Sequence, residues 1–235
     1  MILRKLSSIF ISRCFIRRAV TIPSKFCDRV NISAEKGCDG EELNAVKSRI
    51  SGNLLVSDNF ISEEEETMLY DEVRALLEKR SYQNEHWDDA IHGYRESEKE
   101  SWSKSCMIVF KRVKEASFDS SHTLLPYVHI LDLDSKGFIK PHIDSVKFCG
   151  STIAGLSLLS PSIMRFRHEK FNRVTIDALL PRRSLYICRN AIRYEFTHEI
   201  LPPELSIWNG DIIGRCRRIS LMLRCKPEEN SVKAT

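Results

Sequence analysis

In the second half of the chain, apolar residues fall in short runs, many alternating with polar ones. This period-two pattern predicts strands at 106–113, 125–133, 138–142, 152–159, 162–167, 174–180, 184–188 and 219–225. Asp134-Ser135-Lys136-Gly137 and Ser160-Pro161 supply turn signals between several of them. Ahead of the strands the period changes. Ser62 and Glu65 fit a capping box, and the glutamates between and after them suit a first helical turn. Leu69, Val73, Leu76 and Leu77 then recur on one helical face that ends near Arg80, as expected of a helix packed across a sheet. Residues 28–53 are polar, contain Gly37, Gly40 and Gly52, show no apolar period, and read as a linker. Residues 81–105, SYQNEHWDDAIHGYRESEKESWSKS, also lack a period and read as a long surface loop. Many short strands behind one early helix predict a mainly β domain over 54–226, a β-sandwich or jelly roll, followed by a tail at 227–235.

Composition changes the picture at the N-terminus. Residues 1–27 carry six basic residues (Arg4, Lys5, Arg13, Arg17, Arg18, Lys25) and no acidic one. Serines are interspersed, and no run is apolar enough to span a bilayer. This is the composition of a mitochondrial transit peptide, which would deliver the domain to the matrix; a basic tail without address function is the plainer alternative. The whole chain has 36 Lys and Arg against 32 Asp and Glu, a formal charge of +4; without the six leader residues, 30 basic face 32 acidic, or −2. A mature domain near neutrality has no strong sequence-independent pull on a phosphate backbone, which counts against nucleic acid as substrate without excluding it. The eight cysteines include no CxxC pair, which predicts reduced thiols in an intracellular compartment rather than a zinc module or a disulfide framework.

The candidate chemistry begins in KPHIDSVKFCG, residues 140–150. A histidine and a carboxylate two residues apart on a strand project from the same face, so His142 and Asp144 can reach one ion. Pro141 donates no hydrogen bond, which fits a strand end. The spacing alone has little specificity, because His86-Trp87-Asp88 repeats it. Context separates the two. The second pair lies in the acidic loop, whereas His142 and Asp144 follow a strand and a glycine turn and precede the apolar run TIAGLSLLS. Further on, RYEFTHEI places His198 on one alternating face with Tyr194 and Phe196. Two histidines and one carboxylate leave three adjacent metal positions open, a set suited to non-haem Fe(II) chemistry. A hydrolytic zinc site would use the same ligand types.

The last strand adds a second signal. One face of 218–225 is Arg218, Ser220, Met222 and Arg224; the other is Ile219, Leu221, Leu223 and Cys225, a plain core face. Two guanidiniums on the first face suit a bound carboxylate, while a solvated basic edge strand is the bland alternative.

The HxD pair, the distal histidine and RxxxxxR on a closing strand together resemble the AlkB family of Fe(II)- and 2-oxoglutarate-dependent dioxygenases. HWDDAIHGYRESE, KPHIDSVKFCG, TIAGLSLLSPSIMRF, SLYICR and THEILP extend the resemblance over about residues 50–226, toward a mitochondrial branch of that family. The resemblance implies a double-stranded β-helix, the jelly-roll form of a mainly β fold with supporting helices. It implies His142, Asp144 and His198 as iron ligands, and Arg218 on the distal carboxylate of 2-oxoglutarate. Tyr186 would support that carboxylate, and Arg224 would hold the keto-acid end or order the site. Ser220, between the arginines, would add a hydrogen bond or simply fill space. The activity so implied consumes 2-oxoglutarate and O₂ and releases succinate and CO₂. It hydroxylates a C–H bond, or an N-methyl group that leaves as formaldehyde. The expected substrate is a protein side chain or small molecule. The alternatives are a single-stranded or tRNA base, or no substrate at all in a 2-oxoglutarate-sensing module. A setting of fatty-acid metabolism and programmed necrosis is implied by the resemblance alone.

Two departures from the family pattern stand out. Leu131 and Leu133 occupy the spacing at which many members carry an Asn and a Tyr against the cosubstrate. His129 shares their face, either as a substitute or as a satisfied structural histidine. The region equivalent to a basic, aromatic nucleic-acid lid, 81–105, holds six acidic and three basic residues, although Trp87, Tyr94 and Trp102 are available for stacking.

Overall fold

The computed structural model describes residues 28–84 and 89–228. The expected leader (1–27), the His86-Trp87-Asp88 pair and residues 229–235 of the tail lie outside the described residues. In chain order the elements are β1 (Val30–Ala34), α1 (Gly40–Ile50), β2 (Leu54–Ser57), α2 (Glu63–Leu77), β3 (Ile91–Lys99), α3 (Lys104–Ser117), β4 (Val128–His142) and β5 (Thr152–Leu158). They continue with β6 (Ser162–His168), β7 (Val174–Leu180), β8 (Ser184–Arg189), α4 (Asn190–Tyr194), β9 (Phe196–Ile200), β10 (Ile207–Trp208), β11 (Asp211–Ile212) and β12 (Arg218–Arg224).

Ten strands form one antiparallel sheet in the order β1-β7-β6-β9-β4-β12-β5-β8-β2, with β3 added alongside β4. The sheet curls into the expected jelly roll, and one core fills the inside of the curl: Leu131, Ile139, Phe166, Ile176, Tyr186 and Met222 belong to it. A second core lies between the outer face of β4, β5, β8 and β12 and the helices α2 and α3. β12 shows why its two faces differ in sequence. Met222 joins the inner core, and Ile219, Leu221 and Leu223 join the helix-covered one. Both faces are buried, so the arginines are not on a solvated edge.

Helix α2 forms as its sequence predicts. Glu65 N–H donates to Ser62 Oγ and Ser62 N–H donates to Glu65 Oε2, at 3.2 and 3.0 Å. Leu69, Val73 and Leu77 are fully buried against α3 and the sheet.

Four expectations are corrected. Residues 28–53 are not a linker: β1 pairs with β7 from Val30↔Ala178 to Ala34↔Val174, and α1 buries Val46 and Ile50. These elements escape a periodicity search because β1 is a half-exposed edge strand and α1 has only a narrow apolar stripe. The described part of 81–105 is not one long loop: Ile91–Lys99 form β3, which pairs with β4 over most of its length, and α3 begins at Lys104. Residues 106–113 are helical, not a strand. Cys106, Val109, Phe110 and Val113 fall on one helical face, and Ser103 caps the helix by accepting from Cys106 N–H at 3.3 Å. Finally, 125–133 and 138–142 are not separated by a turn. β4 continues past Asp134–Gly137 in the same direction, and those four residues bulge opposite the single Gly93 of β3. Gly93 and Gly137 sit backbone to backbone there; a Cβ on Gly137 would fall 2.4 Å from the Gly93 carbonyl oxygen.

Candidate functional site

Two paired strands, β4 and β9, bring the candidate metal ligands together at one end of the inner core. β4 ends at His142, where its pairing with β9 shifts register between Ile139 and His142; His142 then lies directly opposite His198. The irregularity at Pro141 turns His142 inward, as bulges commonly re-aim a side chain. The two imidazole centroids are 4.3 Å apart. Asp144, just past the strand, approaches His142 Nε2 at 3.4 Å and His198 Nε2 at 4.0 Å through Oδ1. One ligand atom from each residue lies within 4.8 Å of the others, the only such His/Cys/Asp/Glu group among the described residues.

The protonation states suit a cation. His142 Nδ1 lies 2.9 Å from the Lys140 carbonyl oxygen, so Nδ1 carries the proton and Nε2 is left as the donor atom. Burial and the adjacent His142 push the His198 imidazole down to about 4, so it is neutral at neutral pH. Burial alone would raise the Asp144 carboxyl. The close approach of His142 and the positive charge of Arg224 outweigh it and hold that carboxyl well below its usual range. Two imidazoles and one carboxylate facing a cavity form a donor set that fits a divalent first-row metal.

The cavity runs from the triad down the inner face of β12. Arg218, Ser220, Met222 and Arg224 all line it, as do Tyr186, Leu131 and His129. Arg218 is 2% exposed; its Nε donates to Ser157 Oγ at 3.1 Å and its Nη2 has no partner. Burial lowers the guanidinium pKa, with the nearby Tyr186 acting against it. A buried guanidinium without a counter-anion is costly, and a carboxylate in the cavity would relieve it. Tyr186 Oη and Ser220 Oγ are 2.9 Å apart, so Ser220 makes a specific contact rather than filling space. Arg224 stands at the other end, its Nη2 3.8 Å from Asp144 Oδ2 and its Nε without a partner.

The remaining expectations divide. Leu131 lines the cavity and pairs with Ser220 across β4 and β12, whereas Leu133 is fully buried opposite Arg218. His129 is satisfied on one side only. Its Nε2 lies 2.9 Å from Glu96 Oε2, and its buried Nδ1 has no partner. Of the three aromatics available for stacking, two are engaged inside the protein. Tyr94 is 2% exposed and donates to Gln83 at 2.8 Å. Trp102 donates to the Lys99 carbonyl and packs edge-on against Phe110. Trp87 lies outside the described residues.

Four residues of the site escape the sequence reading. Ser157 bonds Arg218, and Gly155 makes room for Tyr186. Cys188 lines the cavity wall, and so does Arg193, on the short helix α4. A glycine inside the apolar run TIAGLSLLS signals a close approach. Nothing in the local pattern marks the others.

Comparison with known proteins agrees with the geometry. No family-wide sequence profile matches the chain. The mitochondrial alpha-ketoglutarate-dependent dioxygenase alkB homolog 7 of Mus musculus is 48% identical over 184 residues, covering 78% of this chain and 83% of that protein. The Bos taurus counterpart is 49% identical over the same shares. Among solved structures, OsALKBH1 matches with a TM-score of 0.54 at 13% identity, covering 73% of this chain and 97% of that one. A Pseudomonas putida prolyl-4-hydroxylase matches at 0.52 and 15% identity, covering 79% and 99%. These distant structures establish the jelly-roll fold, and the two mammalian relatives establish the family. The chain belongs to the AlkB-type alpha-ketoglutarate-dependent dioxygenases, as a relative of their mitochondrial homolog 7 members.

Proposed function

We propose that this chain is a mitochondrial Fe(II)- and 2-oxoglutarate-dependent dioxygenase that hydroxylates a protein or small-molecule substrate in the matrix. One observation carries the site assignment: a converging His142, Asp144 and His198 share a cavity with a buried, unpartnered Arg218 nitrogen. Such a cavity fits a metal and a dicarboxylate together. In this reading the three ligands hold Fe(II), and Arg218 receives the distal carboxylate of 2-oxoglutarate. Tyr186 and Ser220 present their hydroxyls beside that carboxylate. Arg224 neutralises the keto-acid end and keeps Asp144 ionised. Bound iron supplies the oxidising power that turns 2-oxoglutarate and O₂ into succinate, CO₂ and a hydroxylated product. The chain's own task is orientation and dryness. Ile139, Ile153, Phe166 and Met222 line the cavity with apolar surface that keeps bulk water from the reacting end.

The names of the mammalian relatives support the mitochondrial setting, and the acid-free basic leader at 1–27 supports import. The matrix location, and the links to fatty-acid metabolism and programmed necrosis, belong to this proposal. Base demethylation on RNA is the second reading, and a non-catalytic 2-oxoglutarate sensor the third. The burial of Tyr94 and the packing of half-buried Trp102 against Phe110 argue against base stacking, because both rings are engaged within the protein.

The test is an anaerobic titration of Fe(II) and 2-oxoglutarate into the purified chain, followed by exposure to air. Iron-dependent binding, with succinate release lost in Arg218→Ala, supports the proposal. A wild-type chain that binds no 2-oxoglutarate sinks it. Deleting residues 1–27 from a fluorescent fusion should move it out of mitochondria, and unchanged localisation would refute the targeting role.

A further inference from the structure

Arg193 is the cation that this reading leaves without a task. It lies on α4, five residues before His198, and is 3% exposed. Its Nη2 donates to the carbonyls of Ser145 and Cys149 at 3.2 and 3.1 Å and contacts Cys149 Sγ at 3.0 Å. Those bonds tie it to the turn that follows Asp144. Its Nε and Nη1 are buried and have no partner. The Tyr194 ring, 5.1 Å from its Cζ, covers only one face. Arg193 lines the same cavity as the metal triad and acts electrostatically on His198.

The charge balance sharpens the point. Arg193, Arg218 and Arg224 line the cavity against a single carboxylate, Asp144. A divalent metal and a dicarboxylate would cancel each other and leave that positive excess in place. A desolvated guanidinium with two free donors is stabilised by an oxyanion, which Nε or Nη1 can engage through one charge-assisted hydrogen bond.

We propose that Arg193 forms an anion subsite beside the metal triad, taking a carboxylate or phosphate group. The group is either the keto-acid carboxylate of 2-oxoglutarate or an acidic group of the substrate to be hydroxylated. The inference rests on the reading of this cavity as a 2-oxoglutarate site. It gives that site a substrate preference that its apolar walls do not: anionic molecules are favoured and cationic ones, such as a methylated, positively charged base, are disfavoured.

The test uses the full chain loaded with Mn(II), which fills the metal site without turnover. Calorimetry follows 2-oxoglutarate binding, and then acetate or phosphate binding to the Mn(II)·2-oxoglutarate complex. Arg193→Gln should keep Mn(II) binding and lose about ten-fold or more in affinity for one of these anions, the scale of one charge-assisted hydrogen bond. Loss on 2-oxoglutarate identifies the cosubstrate as the source; loss on acetate or phosphate alone identifies the substrate. Arg193→Lys should restore part of the loss. The proposal is overturned if no anion affinity changes. It is also overturned if both variants lose Mn(II) and melt early, since Arg193 would then serve only as a strut for the turn. Arg218→Ala separates the two readings. A wild type that never binds 2-oxoglutarate, yet binds phosphate through Arg193, refutes the cosubstrate site and leaves the subsite standing.

Discussion

Gly155 and Tyr186 face each other across β5 and β8, so closely that a Cβ on Gly155 would fall 2.3 Å from the Tyr186 hydroxyl. The absence of a side chain at 155 is what lets the Tyr186 ring lie flat in the inner core and reach Ser220. Gly155→Ala should therefore push Tyr186 off Ser220. Overpacking of this kind costs about 1–3 kcal/mol of stability. The variant should lose affinity for 2-oxoglutarate while keeping its metal, and calorimetry on the metal-loaded variant checks this.

Ser157 is fully buried and accepts from Arg218 Nε. Ser157→Ala would leave a second nitrogen of a buried guanidinium unsatisfied, at a cost of about 1–3 kcal/mol. Saturating 2-oxoglutarate should recover part of that loss, because the ligand supplies the missing counter-charge. A thermal melt with and without the ligand reads both effects, and an unchanged wild-type-like melt would remove Ser157 from the site.

Metal binding should be visible as stability. A ligand at about 100 times its Kd raises folding stability by about 2.7 kcal/mol. Mn(II) or Fe(II) should raise the melting temperature of the wild type, and a chelator should reverse the rise. Asp144→Ala should show neither response, since it removes the one carboxylate of the triad. A metal-dependent rise that survives in Asp144→Ala would contradict the ligand assignment.

The described cysteines should differ sharply in reactivity. Cys216 is exposed, whereas Cys106 and Cys188 are buried. Burial pushes the Cys106 thiol up to about 11 and the Cys188 thiol up to about 12. At neutral pH neither presents a thiolate. Iodoacetamide should modify Cys216 in the native protein and reach Cys106 and Cys188 only after unfolding, as read by peptide mass spectrometry. Modification of Cys188 in the native state would mean that the cavity wall opens to solvent.

Helix α3 contributes to stability through its buried face. Phe110 is 1% exposed in the core shared with α2. Phe110→Ala should destabilise the fold by about 3–5 kcal/mol, measured by urea unfolding, with the metal site retained in the folded fraction. A cost below about 1 kcal/mol would show that α3 is dispensable to the domain.

The sequence by itself determined the elements whose residues meet only nearby neighbours or follow a clean period. The Ser62 cap of α2 is local in sequence, and the strands β5 to β8 and β12 announce themselves by apolar runs. The same alternation separated Arg218, Ser220, Met222 and Arg224 from the opposite face of β12, and the cavity has those four on its wall. His142, Asp144 and His198 were legible as ligand types, because few residue types bind metals; Asp144, however, meets His142 from the segment after β4 and not from a shared strand face.

Tertiary structure decided the rest. β1 and β3 are strands because β7 and β4 offer them open edges, not because their own residues alternate cleanly. Residues 106–113 are helical because α2 and the sheet bury one side of them, although Met107-Ile108-Val109-Phe110 suits a strand equally well. Arg193, Ser157 and Gly155 gain their roles only from what lies opposite: a turn after Asp144, a guanidinium from β12 and a ring from β8. Such partners lie 31 to 61 residues away along the chain, and a single sequence records each residue without recording what it will face. Burial and the free donors of Arg193 and Arg218 are properties of the assembled cavity, which exists only once the sheet has curled.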